Sequence, residues 1–329
     1  LKDALTLVDH SIEQNRRDDG LYHAYNLLDY QPDRVDIDHL YPMLEGQVAV
    51  LSSGTLDPEQ SISVIQALFD SAIYRSDQDS FMLYPDRDLP GFLDKNMIPA
   101  ADIDRIPLLK RMLQDGDESI VLRDAEGNYR FNADISNAGA LSDRLNQVDY
   151  AYANDLDSAR EPLLELYESV FNHQAFTGRS GGMFGFEGLG CIYWHMVSKL
   201  LLAVQESFYH AVDEEADEAS IRTLAKLYYR VRQGIGFNKT PDEYGSFPTD
   251  PYSHTPKHAG AQQPGMTGQV KEEILTRFGE LGIRVDNGVA HFNPCLLRRQ
   301  EFLSEARVFR YLDVDNQWQE ILVPAQGLA

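Results

Sequence analysis

Residues 177–198 read TGRSGGMFGFEGLGCIYWHMVS and continue into KLLLAVQESFYHAV at residues 199–212. Six glycines surround Arg179 and Glu187, and the run behind them is apolar on nearly every side of a 3.6-residue helix. A helix with that pattern is buried all round. The spacing therefore predicts a central helix from about Leu189 to Val212 and a mainly α fold built around it. The glycines admit two readings. They supply turns and close helix packing, or they bare backbone N–H groups at the positive end of a helix, where an anion or a hydroxyl cluster docks.

Further helices are expected on both sides of this segment. LKDALTLVDHSIEQ at 1–14 places Leu1, Leu5, Val8 and Ile12 on one face. Another helix is expected to start near Asp38 and run to Gly54. In DPEQSISVIQALFD, Asp57 takes the N-cap, Pro58 the first helical position and Gln60 the capping-box position. EPLLELYESVFNHQ, ASIRTLAKLYYRVRQG (stopped by Gly234) and QVKEEILTRFGELG complete the helical set. SIVLRDAEGNYRFN reads as a β-hairpin. IRVDNGVAHF, ARVFRYLDV and WQEILV predict a C-terminal antiparallel segment. The expected organisation is 1–150, helical with an inserted hairpin; 151–282, a helical core; and 283–329, a β segment, with a boundary near Ala151. Residues 234–268 show neither period, and a stretch of that length reads as a ligand-facing loop.

At 329 residues and 43% hydrophobic, the chain can bury a sizeable core. Its net charge of −23 argues against a nucleic-acid-binding surface and against a polybasic membrane contact. Cys191 and Cys295 show no metal spacing and read as two reduced, buried thiols, with a single long-range disulfide as the alternative. No signal peptide or bilayer-length run is seen, so a cytoplasmic location is expected. The opening without a Met reads as a piece of a longer protein.

Chemistry concentrates in three places. In the glycine segment, Arg179 offers a forked donor for an oxyanion, and Glu187, between Phe186 and Gly188, suits a general acid raised by desolvation. Cys191, His195 and Ser198 share a helical spacing without the order of any known triad, and His195 is either a core histidine or a cleft-lining one. In the loop, His254, Thr255, Lys257 and His258 gather donors suited to a sugar or phosphate. Pro256 breaks any helical His–His metal pair, and no metal is expected. In the first part, Tyr22, His23, Tyr25, Asn26, Asp38, His39 and Tyr41 combine aromatic faces with polar groups, as a pyranose ring requires. Glu45 is a second acid candidate there.

Two of these stretches, GRSGGMFGFEGLGCIYWHMVSKLLLAVQE (178–206) and YSHTPKHAGAQQPGMTGQVKEEI (252–274), resemble the C-terminal part of large bacterial proteins labelled cellobiose-phosphorylase-like. The helical hairpins resemble the six-hairpin α/α-toroid of carbohydrate-active proteins. The resemblance implies a fragment of such a toroid, a glycoside phosphorylase or hydrolase acting on oligosaccharides, and inorganic phosphate as co-substrate with no other cofactor. The D-W-N-D-G stretch that carries the acid in characterised cellobiose and chitobiose phosphorylases is missing, so no catalytic residue transfers from it. A non-catalytic carbohydrate-binding or scaffolding module of a larger enzyme is the rival reading.

Overall fold

The structure, a computed structural model, describes residues 2–86, 90–172, 190–248, 252–256, 259–264 and 267–328. Contacts divide the chain into two compact units, one formed by residues 1–86 with 187–329 and the other by residues 87–186.

The first unit opens with α1 (Lys2–Gln14), which buries none of its residues. An antiparallel hairpin follows, β1 (Asn26–Tyr30) with β2 (Val35–His39), in register from Asn26↔His39 to Tyr30↔Val35. A helix expected from Asp38 therefore starts later, as α2 (Leu44–Ser52). Val35-Asp-Ile-Asp alternates with a period of two and favours a strand. Pro42 then keeps Tyr41 out of the α region. α3 (Pro58–Asp70) begins as its sequence predicts: Asp57 accepts from Gln60 N at 2.7 Å and Gln60 Oε1 accepts from Asp57 N at 3.0 Å. Two short strands, β3 (Tyr74–Arg75) and β4 (Ser80–Phe81), pair antiparallel.

The second unit has its own core. It contains α4 (Phe92–Lys95), α5 (Ala100–Arg105), α6 (Pro107–Asp115), the hairpin β5 (Val121–Arg123) with β6 (Tyr129–Phe131), α7 (Ala138–Asn146) and α8 (Ala153–Phe171). Leu108, Leu109, Phe131, Leu141, Leu163 and Tyr167 are buried together. Because α7 and α8 pack on each other, the chain does not separate at Ala151; both sides of that residue belong to one core. Buried Asn96 acts as an extra rung: its side chain donates to Phe131 O and accepts from Phe131 N, each at 2.8 Å. The hairpin turn closes on Asp124, which accepts from Glu126 N, Asn128 N and Arg130 Nε.

Returning to the first unit, β7 (Ile192–Tyr193) leads directly into α9 (Trp194–Asp213), thirteen of whose twenty residues are buried. This is the central helix expected from the apolar run. It starts several residues after Leu189 because residues 192–193 pair as a strand. α9 packs on α2, α3, α10 (Glu218–Gln233) and α12 (Thr267–Glu280). The stretch at 234–268 is more structured than its lack of periodicity suggests. It holds α11 (Pro241–Tyr244), β8 (Tyr252–Thr255) and β9 (Gln262–Pro264), anchored by the fully buried Tyr244. Two hairpins close the chain, β10 (Ile283–Asp286) with β11 (Val289–Phe292) and β12 (Arg307–Leu312) with β13 (Trp318–Val323).

A buried polar knot ties α9, α10 and α12. Gln205 Nε2 donates to Thr276 O at 2.8 Å, Tyr228 OH donates to Glu280 Oε1 at 2.6 Å, and Arg232 Nη1 pairs with the same carboxylate at 2.8 Å. Arg277 meets its other oxygen. Glu280 is fully buried, so these cations and the Tyr228 hydroxyl replace the water it has lost.

Candidate functional site

Of the residues expected to carry chemistry, Arg179, Glu187, Lys257 and His258 lie outside the described residues. The remaining ones fall into two clusters in the first unit.

One cluster is built on a three-stranded sheet. β7 pairs with β8 (Ile192↔Thr255, Tyr193↔His254), β8 pairs with β9, and Met82 bridges to Ile192 on the other side. Segments about sixty residues apart in the sequence thus lie side by side. Thr255, at the end of β8, accepts a 2.7 Å hydrogen bond at Oγ1 from Trp194 Nε1, with both residues buried. The Tyr193 and His254 rings stack, centroids 4.8 Å apart and 10° from parallel. The Tyr193 hydroxyl lies 3.3 Å from His195 Nδ1. Arg75 ties the chain just before β7 to the end of β8. Nine-tenths buried, it donates from Nη1 to Gly190 O at 2.9 Å and to Thr255 O at 3.1 Å, while Asp77 receives its Nε and Nη2.

The groups here are held neutral. Burial pushes the Cys191 thiol up to about 11, and Arg75 only partly opposes that. Burial also lowers His254 below the usual imidazole range. Cys191 Sγ sits 3.5 Å from His254 Nδ1, so the pair is a thiol beside a neutral imidazole rather than a thiolate–imidazolium nucleophile. Ser198 donates its hydroxyl to Trp194 O within its own helix. Covalent catalysis by either residue is unsupported. What the cluster offers is a half-buried phenol and imidazoles, which suit a neutral polyhydroxyl ligand. The expectation that Cys191, His195 and Ser198 share a helix face is corrected: Cys191 precedes β7 and is not helical. Both cysteines are free, but Cys295 is exposed rather than buried.

The second cluster surrounds the start of α2. Tyr22 is buried, its N–H donating to Gln47 Oε1 at 2.9 Å. His23 stacks on His39 at 3.7 Å, and His39 Nδ1 lies 2.8 Å from Asn26 Oδ1. Burial, then the neighbouring His39, holds His23 below the usual imidazole range. Tyr25 OH donates to Glu45 Oε2 at 3.0 Å. Tyr22, His23 and Asn26 line a hollow of about 390 Å³ with Leu7, Val8 and Ile12 from the apolar stripe of α1. A backbone relay connects the clusters: Leu44 N donates to Leu83 O at 2.8 Å, and Leu83 N donates to Cys191 O at 3.4 Å.

Among the described residues, no group of three or more His, Cys, Asp or Glu side chains could hold a metal ion, and no helix is long and apolar enough to cross a membrane. Arg75, Asp77, Tyr193 and Trp194 were not legible as site residues. Arg75 holds carbonyls more than a hundred residues away in sequence, and no local spacing reports such a contact.

Residues 89–174 match the family model described as GH149 phosphorylase insertion domain 2. No curated protein matches the chain. The matched stretch covers well under half of the chain and falls within the second compact unit, residues 87–186. Through residues 89–174 the chain is thus similar to a domain inserted in phosphorylases acting on glycosides.

Proposed function

We propose that the protein is a glycoside phosphorylase of oligosaccharides, in which residues 87–186 form an insertion and the first unit belongs to the catalytic body. The match of residues 89–174 carries this reading. In phosphorolysis an oxygen of inorganic phosphate attacks the anomeric carbon and the glycosidic C–O bond breaks. An acid protonates the departing oxygen, leaving a sugar 1-phosphate and a shortened saccharide. Glu187 is proposed as that acid, with Glu45 as the alternative. Arg179, Lys257 and His258 are proposed to hold phosphate, and Tyr22, His23, Tyr193, His195, His254 and Thr255 to hold sugar. The helices packed around α9 are proposed to be hairpins of an α/α toroid.

The placement of β7 against β8 supports this reading, since it draws the chain following the glycine segment up to the strand bearing His254 and Thr255. The neutral state of His254 and Cys191 supports a ligand-binding rather than a nucleophilic role. A second reading, a carbohydrate-binding module without turnover, is favoured by one observation: the matched model describes an insertion, not a catalytic domain. Phosphate-dependent release of sugar phosphate from β-linked disaccharides and longer oligosaccharides separates the two. Saccharide binding by calorimetry with no turnover would favour the module, and full activity in Glu187→Gln would remove Glu187 as the acid.

A further inference from the structure

The strongest feature outside both clusters is a cationic hollow in a chain whose net charge is −23. Arg222, Lys226 and Arg230 recur every four residues along α10 and so form one stripe on its outer face. They line a hollow of about 700 Å³ together with Arg232 and Arg298, and among the described residues no Asp or Glu lines it. The segment 295–298 forms its opposite wall. That wall is fixed in place: Leu296 is buried and its carbonyl accepts from Tyr229 OH at 2.9 Å, and the Arg298 guanidinium lies 4.2 Å from the Tyr229 ring centre.

Carboxylates outside the hollow account for three of the five cations. Arg222 pairs with Glu218, Arg232 with Glu280 at 2.8 Å, and Arg298 with Glu301 at 3.4 Å. Among the described residues no carboxylate lies within ion-pair distance of Lys226 or Arg230. Arg230 instead lies over the Phe69 ring at 3.6 Å and donates a hydrogen bond to the Tyr74 hydroxyl, neutral contacts that hold its guanidinium while leaving its charge. Glu218 stands one turn before Arg222 and pairs with it, and Arg230 and Arg232 fall in the last turn, where cations suit the helix dipole; Lys226, between them, serves neither purpose and lines the hollow.

We propose that this hollow binds a phosphorylated small molecule, its phosphates at Lys226 and Arg230 and its neutral part against Tyr229 and Leu297. The volume is that of a small-molecule site. Two cations on one helix face, neither within ion-pair distance of a carboxylate among the described residues, suit a ligand carrying two phosphate groups, since each phosphate oxygen accepts charge-assisted hydrogen bonds. The site requires no turnover and is independent of the phosphorolysis reading, so its test measures binding alone.

The probe is fructose 1,6-bisphosphate, titrated calorimetrically into the full protein at low salt, with fructose as the neutral control. The expected result is binding by the bisphosphate that weakens as salt rises, and none by fructose. Lys226 is exposed, and glutamine keeps the helix propensity, so Lys226→Gln should melt as the parent does and bind about tenfold more weakly. Lys226→Arg should restore most of the affinity. The proposal is overturned if the parent gives no binding heat at about 10 mM bisphosphate, if fructose binds as well, or if Lys226→Gln binds unchanged.

Discussion

Replacing Arg75 with Met tests whether one buried guanidinium holds the candidate site together. Met retains most of the apolar stem and removes every donor. The lost interactions differ in weight. Asp77 is 60% exposed in its side chain, so that ion pair is screened by water and contributes about 1 kcal/mol or less. The bonds to Gly190 O and Thr255 O are buried, and hydrogen bonds from a charged donor contribute about 1.5–3 kcal/mol each. Partial rehydration of the freed carbonyls brings the expected net loss to about 3 kcal/mol. Urea unfolding followed by tryptophan fluorescence is the assay, because both tryptophans, buried Trp194 and exposed Trp318, lie in the first unit. Arg75→Met should lower the unfolding free energy by that amount, and Asp77→Asn by about 1 kcal/mol at most. A loss below about 1 kcal/mol in Arg75→Met, or equal losses in the two variants, would refute the reasoning.

Glu280→Ala should cost about 3–5 kcal/mol by the same denaturation assay, since it leaves Arg232 and Arg277 facing each other without their shared carboxylate; Glu280→Gln should cost less. Acid unfolding of the second unit should depend on Asp124. Hydrogen bonding from Arg130 lowers its carboxyl to about 2, so the stability it confers is complete above the ordinary value near 3.8 and is lost as pH falls through about 2. Circular dichroism of a fragment spanning residues 91–172 should show Asp124→Asn flattening the acid limb between those two values. Iodoacetamide at neutral pH, read by mass spectrometry, should label exposed Cys295 and leave Cys191 unmodified until the protein is unfolded. Rapid labelling of Cys191 in the folded protein would contradict its neutral pairing with His254.

The elements that the sequence announced were those governed by local rules. Asp57-Pro58-Glu59-Gln60 carries its own capping chemistry, and the structure closes both bonds of the box. The apolar run ending near Val212 could only be a buried helix, and α9 is central to its unit. Hairpin β5–β6 followed from β-rich runs around Asp124–Asn128, whose turn the Asp124 side chain closes.

What could not be read was set by contacts distant in sequence. Ile192 and Tyr193 look like more of the following helix until Thr255 and His254 arrive to pair with them. The loop at 234–268 has no period because its segments are ordered by outside partners, as when Gln78 Nε2 donates to Glu243 O across more than 160 residues. The polar span around Ala151 resembled a linker, yet Tyr152 is buried and α8 begins at once, since one turn of chain suffices to fold α8 back on α7. His254 and Thr255 were recognisable as a concentration of donors. Arg75, which holds Thr255 in place, sits in YRSDQDS, where the arginine reads as another surface charge.

The proposed phosphorolysis requires phosphate as the attacking group at a glycosidic bond. Its most direct test is an incubation of the protein with a β-linked gluco-oligosaccharide, with and without inorganic phosphate, followed by enzymatic quantitation of glucose 1-phosphate. Glucose 1-phosphate that accumulates only when phosphate is present is the predicted result. Free glucose released at the same rate with or without phosphate, or saccharide bound and returned intact, would contradict it.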